Sequence, residues 1–368
     1  MQNKYIVTNF SYGTGPFLRT TNLAISFNDE LEKRGYPRMK IIVPLVYGER
    51  QKQAMKEEFG ENEEIILDLK LGAILRKIFY GDNTYRKALQ NWVLNYKKAS
   101  RDARDHLLKA YGSEIAVELS RSPRIRYDVA PAYFTSFATI AEILEHSISE
   151  PDIDIDEKLL RNGVKVAHWV EKSYKIHALA HPATFSFLEK RSPRYPTEVV
   201  TPPIAPPLKE NSDLIYPGLF VTITGIPGLE RLYADAKRLG YKLYSNISEA
   251  VPESIQALPH IISNKNILFQ FARSGWSSIW ISMIAGTPLV VPDFDPEDDP
   301  EIYFNNRTVE ELQLGMIYRG QGLETILKEA PRIKASYERM RKEIMDRWGT
   351  LDGNRYCAKL FADDFLRK

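Results

Sequence analysis

The sequence has few of the features that mark secreted or membrane-spanning proteins. It holds one cysteine, Cys357, in 368 residues. That excludes an intrachain disulfide and suits a reducing compartment. No apolar run approaches the ~20 residues that a bilayer-spanning helix needs. Met1 leads straight into a β-rich run at 5–10, without the charged stretch and apolar core of a secretory signal, so the expected location is cytoplasmic. An excess of one charge is also missing: 50 Lys and Arg against 48 Asp and Glu leave a net charge of +2. This argues against a dedicated nucleic-acid binder. Neither the EF-hand spacing nor the two-histidine metal helix is present, and no metal site is expected.

What is present reads as a parallel α/β protein. The length exceeds one typical core, which predicts two domains. In the first half, the run 5–10 is followed by a glycine turn (Gly13-Thr14-Gly15), helical periodicity over 22–34 and a strand at 39–46. This βαβ unit predicts a Rossmann-like domain, but the third glycine and the acidic residue of a dinucleotide fingerprint are missing. The turn reads instead as a loop lining a cleft. Residues 70–112 read as a helical insertion in which Arg76, Lys77, Arg86, Lys87, Lys97, Lys98, Arg101 and Arg104 are interleaved with Phe79, Tyr80, Tyr85, Trp92 and Tyr96. Such a segment either touches an anionic membrane or phosphorylated substrate, or is a solvated face with its aromatics in the core. Strands are expected at 124–129 and 174–180, with 131–136 as a loop at the carboxyl end of the sheet. That places Asp128 near a strand end and His181 directly after one; each is a candidate base, and packing is the alternative for His181.

Six prolines between 193 and 207 predict a stiff linker over 193–217, separating a first domain (1–192) from a second (218–350). The second domain opens with a strand at 219–224, a turn containing Gly225 and a helix over 229–239. Its clearest stretch is 267–292: strand, the turn Arg273-Ser274-Gly275, a helix from 276 to 284, and another strand at 289–291. The first amides of such a helix lack intrahelical partners and lie at its positive end, which suits a diphosphate. Arg273 adds a fixed charge, Ser277 and Ser278 add hydroxyls, and Gly275 permits close approach. Packing alone also explains a glycine in such a turn. The segment 351–368 reads as a helix that packs back on the first domain.

The run Gly275-Trp276-Ser277-Ser278 resembles the G-W-N-S of UDP-glycosyltransferases. Arg273-Ser274-Gly275 resembles the R-S-G of the bacterial N-acetylglucosaminyltransferase that makes lipid II. Ala285-Gly286-Thr287-Pro288, then Val291-Pro292 and Asn305, keep the order of that inverting GT-B group. The resemblance implies two Rossmann-like domains facing a cleft and a UDP- or dTDP-linked sugar as co-substrate, with no other cofactor. The implied acceptor is a small molecule, a glycan or a lipid-linked group. Arg273, Ser274, Gly275, Ser277 and Ser278 would hold the donor diphosphate. Gly225 would lie on the cleft loop of the second lobe and His260 on the loop near the base. Gly13, Thr14, Gly15 and Arg19 would face the acceptor. Three positions depart from the pattern: Ile281 replaces a ribose-binding glutamate, the first-lobe loop has no histidine base, and the sugar-binding Asp-Gln pair is not reproduced after Pro292. The base is then His181, Asp128 or an acid within 293–301. A UDP-sugar 2-epimerase and a non-catalytic member of the fold, one that binds nucleotide-sugar or scaffolds a partner transferase, are the competing readings.

Overall fold

The computed structural model describes residues 4–9, 14–79, 84–185, 192–205, 208 and 210–367. The first lobe begins with β1 (Tyr5–Thr8), α1 (Thr14–Glu32), β2 (Lys40–Pro44), α2 (Glu49–Phe59), β3 (Ile65–Asp68), α3 (Leu69–Phe79) and α4 (Tyr85–Tyr111). It continues with β4 (Ile115–Ser120), β5 (Ala132–Ser136), α5 (Ile140–Ser147), α6 (Glu157–Glu171), β6 (Ile176–Ala180) and β7 (Glu198–Thr201). The second lobe runs β8 (Gly218–Val221), α7 (Leu229–Arg238), β9 (Lys242–Ser245), β10 (Ile255–Gln256), β11 (Ile267–Phe271), α8 (Trp276–Ala285), β12 (Leu289–Pro292), α9 (Pro300–Glu311), β13 (Met316–Tyr318) and α10 (Leu323–Trp348). A last helix, α11 (Gly353–Phe365), follows.

All strands in both sheets pair in parallel. The first sheet has the order β3-β2-β1-β4-β5-β6-β7 and the second β10-β9-β8-β11-β12-β13. In each, the chain steps outward from its first strand and then returns to that strand's other side. The order therefore reverses between β1 and β4 and again between β8 and β11. The crevice beyond the carboxyl ends at such a reversal is where parallel α/β sheets take their ligands.

Several sequence expectations change. The strand expected at 124–129 is instead an irregular return, and the strand itself is β4, at Ile115–Ser120. It was masked by Glu118, an acid buried in the strand and satisfied by Tyr174 Oη, which donates to it at 2.6 Å. Residues 132–136, expected as a loop, are the buried strand β5. The first sheet gains β7 inside the supposed linker, because prolines flank this edge strand without interrupting it.

The insertion is two helices, α3 and α4. Tyr85 and Trp92 are buried and Tyr96 packs edge-on against Trp169 at 5.2 Å, so these aromatics do not form an exposed membrane-facing set. Arg86, Lys87, Lys97, Lys98, Arg101 and Arg104 are on the exposed side. Tyr80 lies outside the described residues. No described helix is long and apolar enough to cross a membrane.

The lobes share a buried aromatic contact. Trp276 packs on Phe137 with ring centroids 4.7 Å apart, Phe185 stacks on Phe304 at 5.3 Å, and Trp280 Nε1 donates to the Ala183 carbonyl at 3.0 Å. At its edge Tyr303 Oη and Arg307 Nη1 both reach Glu150 at 2.8 Å. Helix α11 crosses back to lie on α1: Phe365 packs on Phe27, Phe361 stacks on Tyr133, and Tyr133 Oη donates to Asp364 at 2.7 Å.

Candidate functional site between the lobes

The turn after β11 and the start of α8 form one wall. Gly275 occupies the cap position with extended backbone (φ −68°, ψ 144°), and no side chain caps the first amides. A Cβ built at Gly275 would meet no atom within 4 Å, so this corner is open. Ser277 and Ser278 are partly exposed beside it. Ser274 is fully buried, and its Oγ has no hydrogen-bond partner among the described residues. Arg273 is exposed and held in an ion pair by Asp298. A diphosphate at the helix start would therefore compete with Asp298 for that guanidinium.

A second group comes from α9. Asp299 caps this helix, its Oδ1 accepting from the Glu301 amide at 2.9 Å. Burial, opposed by Arg124 and by the capping bond, raises the Asp299 carboxyl above its usual range. Glu301 is pushed up to about 7, by burial first and then by the neighbouring Asp299 carboxylate, while Arg124, Asn305 and Arg273 pull the other way. Asn305 Nδ2 donates to the Ser274 carbonyl and, more weakly at 3.4 Å, to Glu301 Oε1. Glu301 was legible only as one acid in a run. Its place beside the α8 turn depends on Asn305, one helical turn further on.

The first lobe faces this group with β-strand ends. Arg124 is 5 % exposed and acts through space on both Asp299 and Glu301. Arg121, directly after β4, is 7 % exposed and feels Arg19 and Glu301. Thr184, after β6, is buried with its Oγ1 lacking a partner among the described residues.

The other sequence-derived candidates fall as follows. Arg19 is on α1, paired with Glu58 at 3.1 Å, and Gly15 lies in the first turn of the same helix, with open space where a Cβ would be. Gly13 and the side chain of Thr14 lie outside the described residues. Gly225, with φ 76°, follows β8 at the second sheet's reversal and also faces open space. His260 is exposed on a 3-10 turn at Pro259–Ser263. That turn packs through Ile261 and Ile262 into an apolar cluster with Phe220, Tyr244, Ile267 and Ile281. Ile281 itself is 9 % exposed. The position at which the resemblance places a ribose-binding carboxylate is thus core.

Two base candidates change standing. Asp128 is not brought to the groove: it sits at φ 51° in the return from β4 to β5, four residues before β5 begins, and pairs with Arg126 at 2.7 Å. Arg126 in turn stacks over Trp169 at the end of α6, 4.7 Å from the ring centre. The expected strand carrying Asp128 to a carboxyl end does not exist, so the residue returns toward the amino end of the sheet. His181 does lie at a strand end, but its main chain is locked: its amide donates to the Thr201 carbonyl at 2.8 Å, and its carbonyl accepts from Trp348 Nε1 at 3.2 Å. No cluster of three or more metal-ligating side chains occurs among the described residues.

No family model matches the sequence, and neither does any curated protein. Solved structures do. The chain is similar to the UDP-glucose:anthocyanidin 3-O-glucosyltransferase in complex with UDP (TM-score 0.65, 10 % identity, 100 % of each chain). It is similar to a UDP-glucosyltransferase from Polygonum tinctorium capable of glucosylating indoxyl (TM-score 0.64, 13 % identity, 100 % of this chain and 99 % of that one). It is also similar to the glycosyltransferase SnogD from Streptomyces nogalater (TM-score 0.59, 14 % identity, 99 % and 100 %). At this identity the likeness defines the fold: the chain has the two-lobed α/β GT-B architecture over its whole length.

Proposed function

We propose that the protein transfers a sugar from a nucleoside-diphosphate sugar, uridine- or thymidine-linked, to an acceptor, with inversion at the anomeric carbon and without a metal ion. The observation that carries this is the open, uncapped start of α8 at the second sheet's reversal, with the buried Ser274 hydroxyl and Arg273 beside it. In this reading the helix amides and the guanidinium stabilise the departing diphosphate as its charge grows. Glu301 takes the acceptor proton: Asn305 ties it to the α8 turn, and burial with the neighbouring Asp299 pushes its carboxyl up to about 7, the range in which a base is effective. The buried aromatic contact between the lobes, which includes Trp276 in the first turn of α8, limits water access to the donor. The complex of a similarly folded transferase with UDP supports the choice of uridine.

A second reading is binding of a nucleotide-sugar without transfer. It is favoured by Ile281, which closes the usual ribose position with apolar packing. Incubation with a panel of UDP- and dTDP-sugars separates the readings. Nucleoside diphosphate released only when an acceptor is present supports transfer. Interconversion of the donor sugar marks an epimerase, and binding without turnover marks the second reading.

A further inference from the structure

Arg121 is a buried cation without a direct ion pair among the described residues, and Glu301 acts on it only through space. It is 7 % exposed, makes no ion pair, and its Nη1 has no hydrogen-bond partner among the described residues. Its charged neighbour on the first lobe is another cation, Arg19, whose own charge is met by Glu58 at 3.1 Å. Burial, and then Arg19, lower the Arg121 pKa to about 10, so it stays charged at neutral pH. A desolvated guanidinium held beside a second one is unfavourable unless an oxyanion completes the site. The planar fork of arginine suits a phosphate or carboxylate in two-point contact.

Position says which substrate. Arg121 lies at the carboxyl end of β4, at the reversal of the first sheet, whereas the diphosphate corner lies at the reversal of the second. Glu301 connects the two: Asn305 links it to Ser274, and its charge acts through space on Arg121. We propose that Arg121, backed by Arg19, binds an anionic group carried by the acceptor, a phosphate or a carboxylate. The proposal rests on the transfer reading for the word acceptor, but the anion site itself does not.

The experiment titrates inorganic phosphate into the full-length protein saturated with UDP, so that the donor corner is filled. UDP binding is measured first by itself. Its absence would sink the donor assignment and leave the phosphate titration to be run on the free protein. Phosphate is expected to bind with UDP present, at least tenfold more weakly in Arg121→Gln, and with most of the affinity kept in Arg121→Lys. Where Arg121→Gln does not fold, Arg19→Gln serves, with a smaller loss expected. Phosphate binding that UDP abolishes would assign Arg121 to the donor. Binding that is absent, or unchanged in these variants, would overturn the site. Glycerol phosphate and phosphatidylcholine vesicles doped with phosphatidic acid then distinguish a soluble from a lipid-borne anion by which of them the Arg121 variant loses.

Discussion

The side-chain amide of Asn305 on α9 donates to the main-chain carbonyl of Ser274 in the turn before α8. The bond fixes the orientation of a peptide unit whose neighbours offer the open amides of the helix start. In the proposed function a diphosphate held by those amides would depend on their direction, and Asn305 would act by positioning. Asn305→Ala is expected to weaken UDP binding about tenfold, the scale of one well-made hydrogen bond. Calorimetric titration with UDP checks it. An unchanged Kd would separate the α9 bond from nucleotide binding.

Ile281 gives a prediction of opposite sense. Its side chain fills the cluster around Phe220, Tyr244, Ile261 and Ile262. A glutamate placed there would not create a ribose contact but would bury a carboxylate among hydrocarbons. Ile281→Glu is expected to destabilise the fold by about 3 kcal/mol or more and to leave the UDP affinity of the folded fraction no better. Thermal melting with and without UDP reports both quantities. A stable variant with tighter UDP binding would show that the ribose reaches this position after all.

The second lobe was the more legible in the sequence because its strand, glycine turn and helix at 267–292 are cleanly bounded. The observed elements there, Ile267–Phe271, Trp276–Ala285 and Leu289–Pro292, differ from expectation by a residue or so. The first lobe was harder to read. Strand β4 contains a buried acid, β5 begins just after Pro131, and β7 sits among prolines, so propensity opposed each strand locally and tertiary packing overrode it. The site divides in the same way. A turn at a helix start announces itself in order along the chain. Arg121 does not, because its burial, and the absence of a partner for its Nη1 among the described residues, exist only once the chain is folded.

Buried carboxyls also set how stability depends on pH. Glu118, accepting from Tyr174 Oη at 2.6 Å, and Glu171, accepting from Tyr195 Oη at 3.0 Å, are both pushed up to about 7, chiefly by burial. The folded state then holds protons that the unfolded chain, with carboxyls near 4.5, releases. The resulting stabilisation is fully present below about 4.5 and is lost as pH rises through 7, with a slope of at most about 1.4 kcal/mol per pH unit per group. Tm is expected to fall between pH 5 and 8, and to fall less in Glu118→Gln, whose amide oxygen still accepts from Tyr174. Equal slopes in the two proteins would exclude Glu118 as a source.

In the proposed transfer Glu301 has two roles, proton acceptor and partner of Asn305, and they can be pulled apart. As a base it must be ionised, so kcat/KM is expected to rise with pH through a midpoint near 7, the value to which burial and Asp299 push it. Glu301→Gln keeps an oxygen for the Asn305 amide and therefore the link to Ser274, but cannot accept the acceptor's proton. The expected outcome is a fall in kcat of about 10²–10⁴, UDP affinity within about twofold of the parent, and disappearance of the limb near 7. Asp299→Asn would lower the remaining Glu301 pKa, since one raising charge is gone, and would move the limb to more acid pH. Loss of activity without loss of the limb would place the proton acceptor elsewhere, with His181 the next strand-end group to replace. Persistence of both activity and limb in Glu301→Gln would remove Glu301 from the reaction.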